Sequence, residues 1–162
     1  MPRIETRMAF NAIEADDRTI TGVAVPYGES SRMIVGERAR PFREVFNRNA
    51  AKTGPDTVLI TNHDPASIPL ARVGAGTLSF EQRSNGLHLR ASLPESRPEI
   101  REAVARGDID SFSVGFIVDD DGDSWKHHKS GSVRTITSAT VVEVSLVSHP
   151  AYPGARISGS NK

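Results

Sequence analysis

The sequence predicts a mainly β fold, a β-barrel decorated by helix, and three observations carry that expectation. Short runs of alternating apolar and polar residues recur along the chain, and Gly, Pro, Asn and Asp clusters punctuate them. Only one segment reads as a well-marked helix, and it comes late. At 162 residues the chain has room for one sizeable core and not for two. A single domain over residues 1–155 is expected, with a flexible tail over 156–162.

The segments "RIETRMAFNAIEADD" and "RTITGVAVPYG" read as a hairpin around Asp16-Asp17, with Ile20, Val23 and Val25 directed to the core. "PYGESS" is a turn or loop, and Pro41 in "MIVGERARPFREVF" marks an edge or a break. "NRNAAKTGPD" suits one helical turn ending at Gly54-Pro55, and "TVLITNHD" is a strand. "GTLSFEQRSNGLHLRASLP" is a hairpin whose Asn85-Gly86 supplies the turn, with Leu78 and Phe80 on one arm and Leu87 and Leu89 on the other. The helix is "SRPEIREAVARGD", near residues 97–106. Ser96 is its expected N-cap, Glu99 completes a capping box, Pro98 lies in the first turn, and Gly107 stops it. Ile100 and Val104, four apart, share its apolar face. The chain then enters "DIDSFSVGF", an acidic hairpin turn at "DDDGD", and short strands around Trp125, "SVRTITS" and "ATVVEVSLV". The tail "SHPAYPGARISGSNK" is loop-like.

Composition narrows the function. Twenty basic residues balance twenty acidic ones, so the basic excess of a nucleic-acid or membrane-surface binder is missing. With no cysteine there is no disulfide framework, thiolate zinc site or cysteine nucleophile. No apolar run approaches the ~18 residues of a membrane span, and "MPRIETRMAF" lacks a signal-peptide core. A calcium loop fails at "DDDGDSWKHH": with Gly122 at position six, Ile117 falls at position one and His128 at twelve. His127 and His128 are adjacent and would face opposite sides of a strand. No metal or cofactor is expected.

Three places remain where chemistry could reside. In "DSFSVGF", Phe112, Val114 and Phe116 share one face, while Ser111, Ser113 and Gly115 form a small, hydroxyl-bearing face. That second face is either simply solvated or open to a close approach. His63 ends a strand where a rigid element passes into a loop, and it is either a surface or capping histidine or a site residue. Glu143 lies within the apolar run "TVVEVSLV". In an extended strand it shares a face with Val141 and Ser145, and it is either solvated or held by a partner.

Taken in order, "GVAVPYGESS", "VLITNHD", "GLHLRASLP", "GDIDSFSVGF" and "VEVSLVSHPAYPGA" resemble blocks of the prohead, or capsid-maturation, proteases of tailed bacteriophages. The resemblance runs from about Thr21 to Ala155. That family is similar in fold to the herpesvirus assemblins, a closed β-barrel ringed by helices. The resemblance implies Ser113 as nucleophile and His63 as base, with Glu143 as the third member. Asp64, and His149 on the assemblin pattern, compete for that third role. Ser111, where relatives often carry Gly, is the competitor for nucleophile. Oxyanion donors are implied near Gly115 or at Arg134, and Gly115 would clear space for the substrate backbone.

The function so implied is a serine endopeptidase that cleaves the major capsid protein precursor and scaffold inside the procapsid, in the host cytoplasm, and that could cleave itself. A homodimer is implied by the assemblin analogy alone, with no nucleic-acid or membrane partner. The competing reading is a non-catalytic capsid-assembly or scaffold-binding module on the same barrel. A weaker one is a small ligand-binding barrel.

Overall fold

A computed structural model of the chain describes residues 3–9, 14–15, 18–35 and 40–148. The period-two patterns form strands in three sheets. The five-stranded sheet runs β1 (Glu5–Ala9), β9 (Ser111–Val118), β12 (Ala139–Val147), β5 (Ala51–Thr61), β6 (Ala71–Arg72). The four-stranded sheet runs β2 (Glu14–Ala15), β3 (Thr19–Pro26), β8 (Gly86–Ser92), β7 (Leu78–Arg83). The third comprises β10 (Asp123–His128), β11 (Gly131–Ile136) and β4 (Phe42–Phe46).

The fold is mainly β, but the expected closed barrel is not seen: among the described residues each sheet is open. Alternation in a sequence specifies which face of a strand is buried, and leaves undetermined which edges pair. The acidic segment illustrates this. It does turn, with the Gly122 N–H donating to the Asp119 carbonyl at 2.9 Å. It is no hairpin, however, because it carries the chain from the five-stranded into the three-stranded sheet. One core joins the layers: Ile20, Val25, Leu78, Leu87 and Leu89 cluster with Phe112, Val114, Phe116, Val144 and Leu146. Phe46 meets Phe116 edge-on, with ring centroids 5.0 Å apart.

Several local expectations shift. Helix α1 spans Pro98–Arg106 and buries Ile100 and Val104, with Gly107 in the left-handed C-cap conformation, as its pattern predicts. Its N-cap is Arg97 and not Ser96, because Pro98 takes the first helical position; Arg97 ion-pairs with Glu99 and no side chain caps the helix. The β7–β8 hairpin turns at Ser84-Asn85, with Gly86 already in β8 opposite Arg83. Gly86 is needed for a close approach: a Cβ there would lie 2.5 Å from the Val25 carbonyl oxygen. The turn at Asp16-Asp17 and the tail from residue 149 fall outside the described residues, although β2 and β3 pair around the former as expected.

Of the helical turn expected at residues 47–55 only a turn at 47–50 forms, with the Ala50 N–H donating to the Asn47 carbonyl at 3.1 Å; strand β5 starts at Ala51, and its irregularity matters for function. Val141 on β12 pairs with Thr53 on β5, whereas Glu143 pairs with Val58, so residues 54–57 bulge outward. On the other side, Val141 pairs with Phe116 and Glu143 with Gly115, leaving Val142 as an extra residue. Thr57 fastens the irregularity: its hydroxyl accepts the Gly54 N–H at 3.0 Å and donates to the Val141 carbonyl at 2.9 Å. Thr57→Val, which keeps the shape and deletes the hydroxyl, strands both groups in a buried place. A loss of about 1–3 kcal/mol is expected, read as a lower urea midpoint with an unchanged m-value.

A second polar device ties β1 to the three-stranded sheet. Glu44, fully buried, pairs with Arg7 at 2.8 Å and with Arg134 at 3.3 Å. Arg134 also reaches Glu5 at 2.5 Å and Asp123 at 2.6 Å. The Arg7 Nε–Glu44 Oε1 approach is an ion pair but too bent to be a hydrogen bond. Burial pushes the Glu44 carboxyl above the usual carboxylate range, against the opposing pull of Arg7 and Arg134. Glu44→Ala would leave two largely buried guanidiniums short of a counter-charge. A destabilisation of about 3–5 kcal/mol follows, measurable by guanidinium unfolding.

Candidate active site

Strands β9 and β12 form the platform. Across their pairing, Gly115 faces Glu143, Val114 faces Val144, Ser113 faces Ser145 and Phe112 faces Leu146. Alternation therefore sends Phe112, Val114, Val144 and Leu146 into the core and sets Ser113, Gly115, Glu143 and Ser145 on the opposite face. The bulge at Val142 makes this possible. In an unbroken strand Glu143 would share the face of Val141, which is itself buried in the core. The extra residue leaves Val141 in the core and turns Glu143 away from it, correcting the expectation that the two share a face.

His63 arrives from the end of β5. Asn62 and His63 both adopt left-handed backbone, at φ 51° and 55°, a conformation costing about 1–2 kcal/mol for each L-residue. Their surroundings hold them there. The Asn62 N–H donates to the Leu146 carbonyl at 3.2 Å, and the His63 N–H donates to Ser145 Oγ at 2.9 Å. The Asp64 N–H closes the turn on the Thr61 carbonyl at 3.0 Å. The reversal drops the imidazole over the β9–β12 face.

There His63 Nδ1 lies 2.5 Å from Glu143 Oε1, and Nε2 lies 2.5 Å from Ser113 Oγ. An ionised carboxylate can only accept, so Nδ1 carries the proton and Nε2 accepts the Ser113 hydroxyl. Glu143 Oε2 accepts a further hydrogen bond from Ser145 Oγ at 2.9 Å. The histidine side chain remains 26% exposed and the glutamate 15%. Ser113, by contrast, has no exposed surface, so a substrate carbonyl reaches it only through a local opening.

The other candidates are placed elsewhere. Ser111 lies two residues from Ser113 on the same face, and its hydroxyl donates to Asp110 at 2.5 Å. Asp64 serves the turn, accepting the Ala66 N–H at 3.0 Å. His149 lies outside the described residues. Arg134 belongs to the ion-pair network with Glu5, Glu44 and Asp123. Glu5 pairs with Phe116, whose ring points into the core, so that network lies behind β9 and away from Ser113. Gly115 also changes meaning. A Cβ at this position would lie 2.5 Å from Glu143 Oε1 and 2.9 Å from its Cγ. The missing side chain makes room for the carboxylate and not, as expected, for a substrate backbone.

The sequence sets Ser145 on the face of Glu143 without assigning it a role, and it shows neither the part played by Thr57 nor the bulge. The i, i+2 spacing of Glu143 and Ser145 was the available signal for Ser145. Nothing comparable announces the bulge.

A hydroxyl, an imidazole and a carboxylate in series form the hydrogen-bond relay used for acyl transfer. A sequence model of the caudovirus prohead serine proteases matches residues 6–162. The chain belongs to that family. No curated protein and no solved structure matches it. For a prohead serine protease the relay is the natural place to look for the chemistry. Among the described residues, no three His, Asp or Glu side chains group as metal ligands would. No described helix is long and apolar enough to cross a membrane.

Proposed function

We propose that this prohead serine protease is an endopeptidase with Ser113 as nucleophile, His63 as general base and acid, and Glu143 as the group that holds the imidazole. Residues 1–155 would act as a single protease domain. Its substrates are the precursor of the major capsid protein and the internal scaffold, cut inside the procapsid while the host cytoplasm surrounds it. The observation that carries this reading is the imidazole of His63 lying 2.5 Å from both the Ser113 hydroxyl and the Glu143 carboxylate.

Ser113 Oγ attacks the scissile carbonyl carbon as its proton passes to His63 Nε2. The imidazolium so formed keeps its Nδ1–H on Glu143, which stabilises the new charge. The tetrahedral intermediate collapses, the C–N bond breaks, and Nε2 returns the proton to the leaving amine. A water then repeats the sequence on the acyl-enzyme ester and frees Ser113.

The test is co-expression of the chain with its capsid precursor, followed by intact mass of both proteins. Cleavage lost in Ser113→Ala and kept in Ser111→Ala supports the assignment. Cleavage lost only in Ser111→Ala moves the nucleophile. A precursor that stays bound and uncut by the wild type favours the non-catalytic assembly module.

A further inference from the structure

We propose that Ser145 is a positioning residue of this site, a fourth polar group that fixes both the base and the carboxylate; this rests on the reading of Ser113, His63 and Glu143 above. Ser145 sits directly across the strand pair from Ser113 and is fully buried. A hydroxyl has one proton to give and lone pairs to receive. Here the proton goes to Glu143 Oε2, and a lone pair takes the His63 backbone N–H, both at 2.9 Å.

Each bond removes a specific freedom. The carboxylate of Glu143 is held at both oxygens, Oε1 by the imidazole and Oε2 by Ser145, so it cannot swing about its terminal bond. The His63 amide, turned out of the ladder by its left-handed backbone, is given a partner that anchors the histidine to β12. One side chain thus couples where the base stands to how its carboxylate is aimed. Alanine at this position would leave a half-buried N–H and a carboxylate oxygen without their partner. The imidazole would then sample positions in which Nε2 no longer meets Ser113.

Ser145 lies beneath the relay, and a substrate would meet His63 and Ser113 first. Its loss should therefore lower kcat and leave KM within about twofold. A misplacement near 1 Å costs on the order of 10²-fold in rate, which sets the expected fall for Ser145→Ala. Ser145→Cys, nearly isosteric but a weak donor, should fall between the two.

The experiment measures kcat and KM for cleavage of the purified capsid precursor by the full chain. The variants are Ser145→Ala and Ser145→Cys, each alone and combined with Glu143→Gln, with folding checked by circular dichroism. The proposal is supported if Ser145→Ala lowers kcat with little change in KM and costs less on top of Glu143→Gln than it does alone, the remaining cost being the lost anchor of the His63 amide. It is overturned if Ser145→Ala folds and cuts at the wild-type rate, or if its cost is the same in both backgrounds, as a purely structural role requires. Should Ser145→Ala not fold, Ser145→Cys decides by the same two criteria. Wild-type cleavage that survives Ser113→Ala would instead bring down the underlying assignment, so the two failures are distinct.

Discussion

Ser113→Ala and His63→Ala are each expected to lower kcat for precursor cleavage on the order of 10⁶-fold, and the double variant to be no slower than either. The reason lies in how the two groups act. Nε2 stands 2.5 Å from Oγ, and neither group contributes to bond-making without the other. Without the imidazole, the hydroxyl has no acceptor for its proton; without the hydroxyl, the imidazole has nothing to activate. The free energies of the two losses therefore overlap almost completely and do not add. Single-turnover cleavage with excess enzyme would resolve the residual rates. A double variant slower by the product of the two single effects would mean that Ser113 and His63 act independently, and the relay would be abandoned.

Gly115→Ala should damage catalysis about a hundredfold less than those variants, and folding only mildly. A methyl group there would lie 2.5 Å from Glu143 Oε1. The clash falls on the far end of a side chain that can move, so β9 keeps its place and stability changes by no more than about 1–2 kcal/mol. The carboxylate must move, however, and with it goes the acceptor that keeps the proton on His63 Nδ1. Loss of tautomer control in a relay of this kind costs about 10⁴-fold in kcat. A cycle separates this cause from general damage: once Glu143 is alanine, Gly115→Ala should cost nothing further. If Gly115→Ala cleaves at the wild-type rate, Glu143 is not the group that orients the histidine.

Much of the architecture could be read in the sequence, for reasons that can be named. Phe112, Val114 and Phe116 announced their own face because a period of two needs no tertiary information. Gly107 and Pro98 located α1 from backbone preference alone. Ser113, His63 and Glu143 came from blocks of sequence that resemble a family, and the structure brings the three side chains together. What escaped depended on partners. Which edges pair is decided by side chains far apart in sequence, so the sheets could not be seen to stay open. In the sequence Gly86 reads as part of a turn and Gly115 as a clearance for substrate. Their true neighbours, the Val25 carbonyl and the Glu143 carboxylate, lie on other strands. The bulge at Val142 depends on Thr57, a residue in another strand.

That bulge gives β12 a counting rule. Side chains along a strand obey odd and even, and Val142 is the single unit that resets the count between the core and the relay. Take it out, and Val141 and Glu143 become ordinary neighbours on opposite sides, each still across from its present partner on β9. The damaging change is the reverse one. A residue inserted between Gly115 and Phe116 would give Val142 a partner and cancel the reset, and Glu143 could then face the relay only by turning Val141 out of the hydrophobic layer. Length is thus counted across the strand pair and not along β12 alone. When other chains of this kind are compared, an extra residue opposite position 142 will say more about activity than a gap at 142 itself.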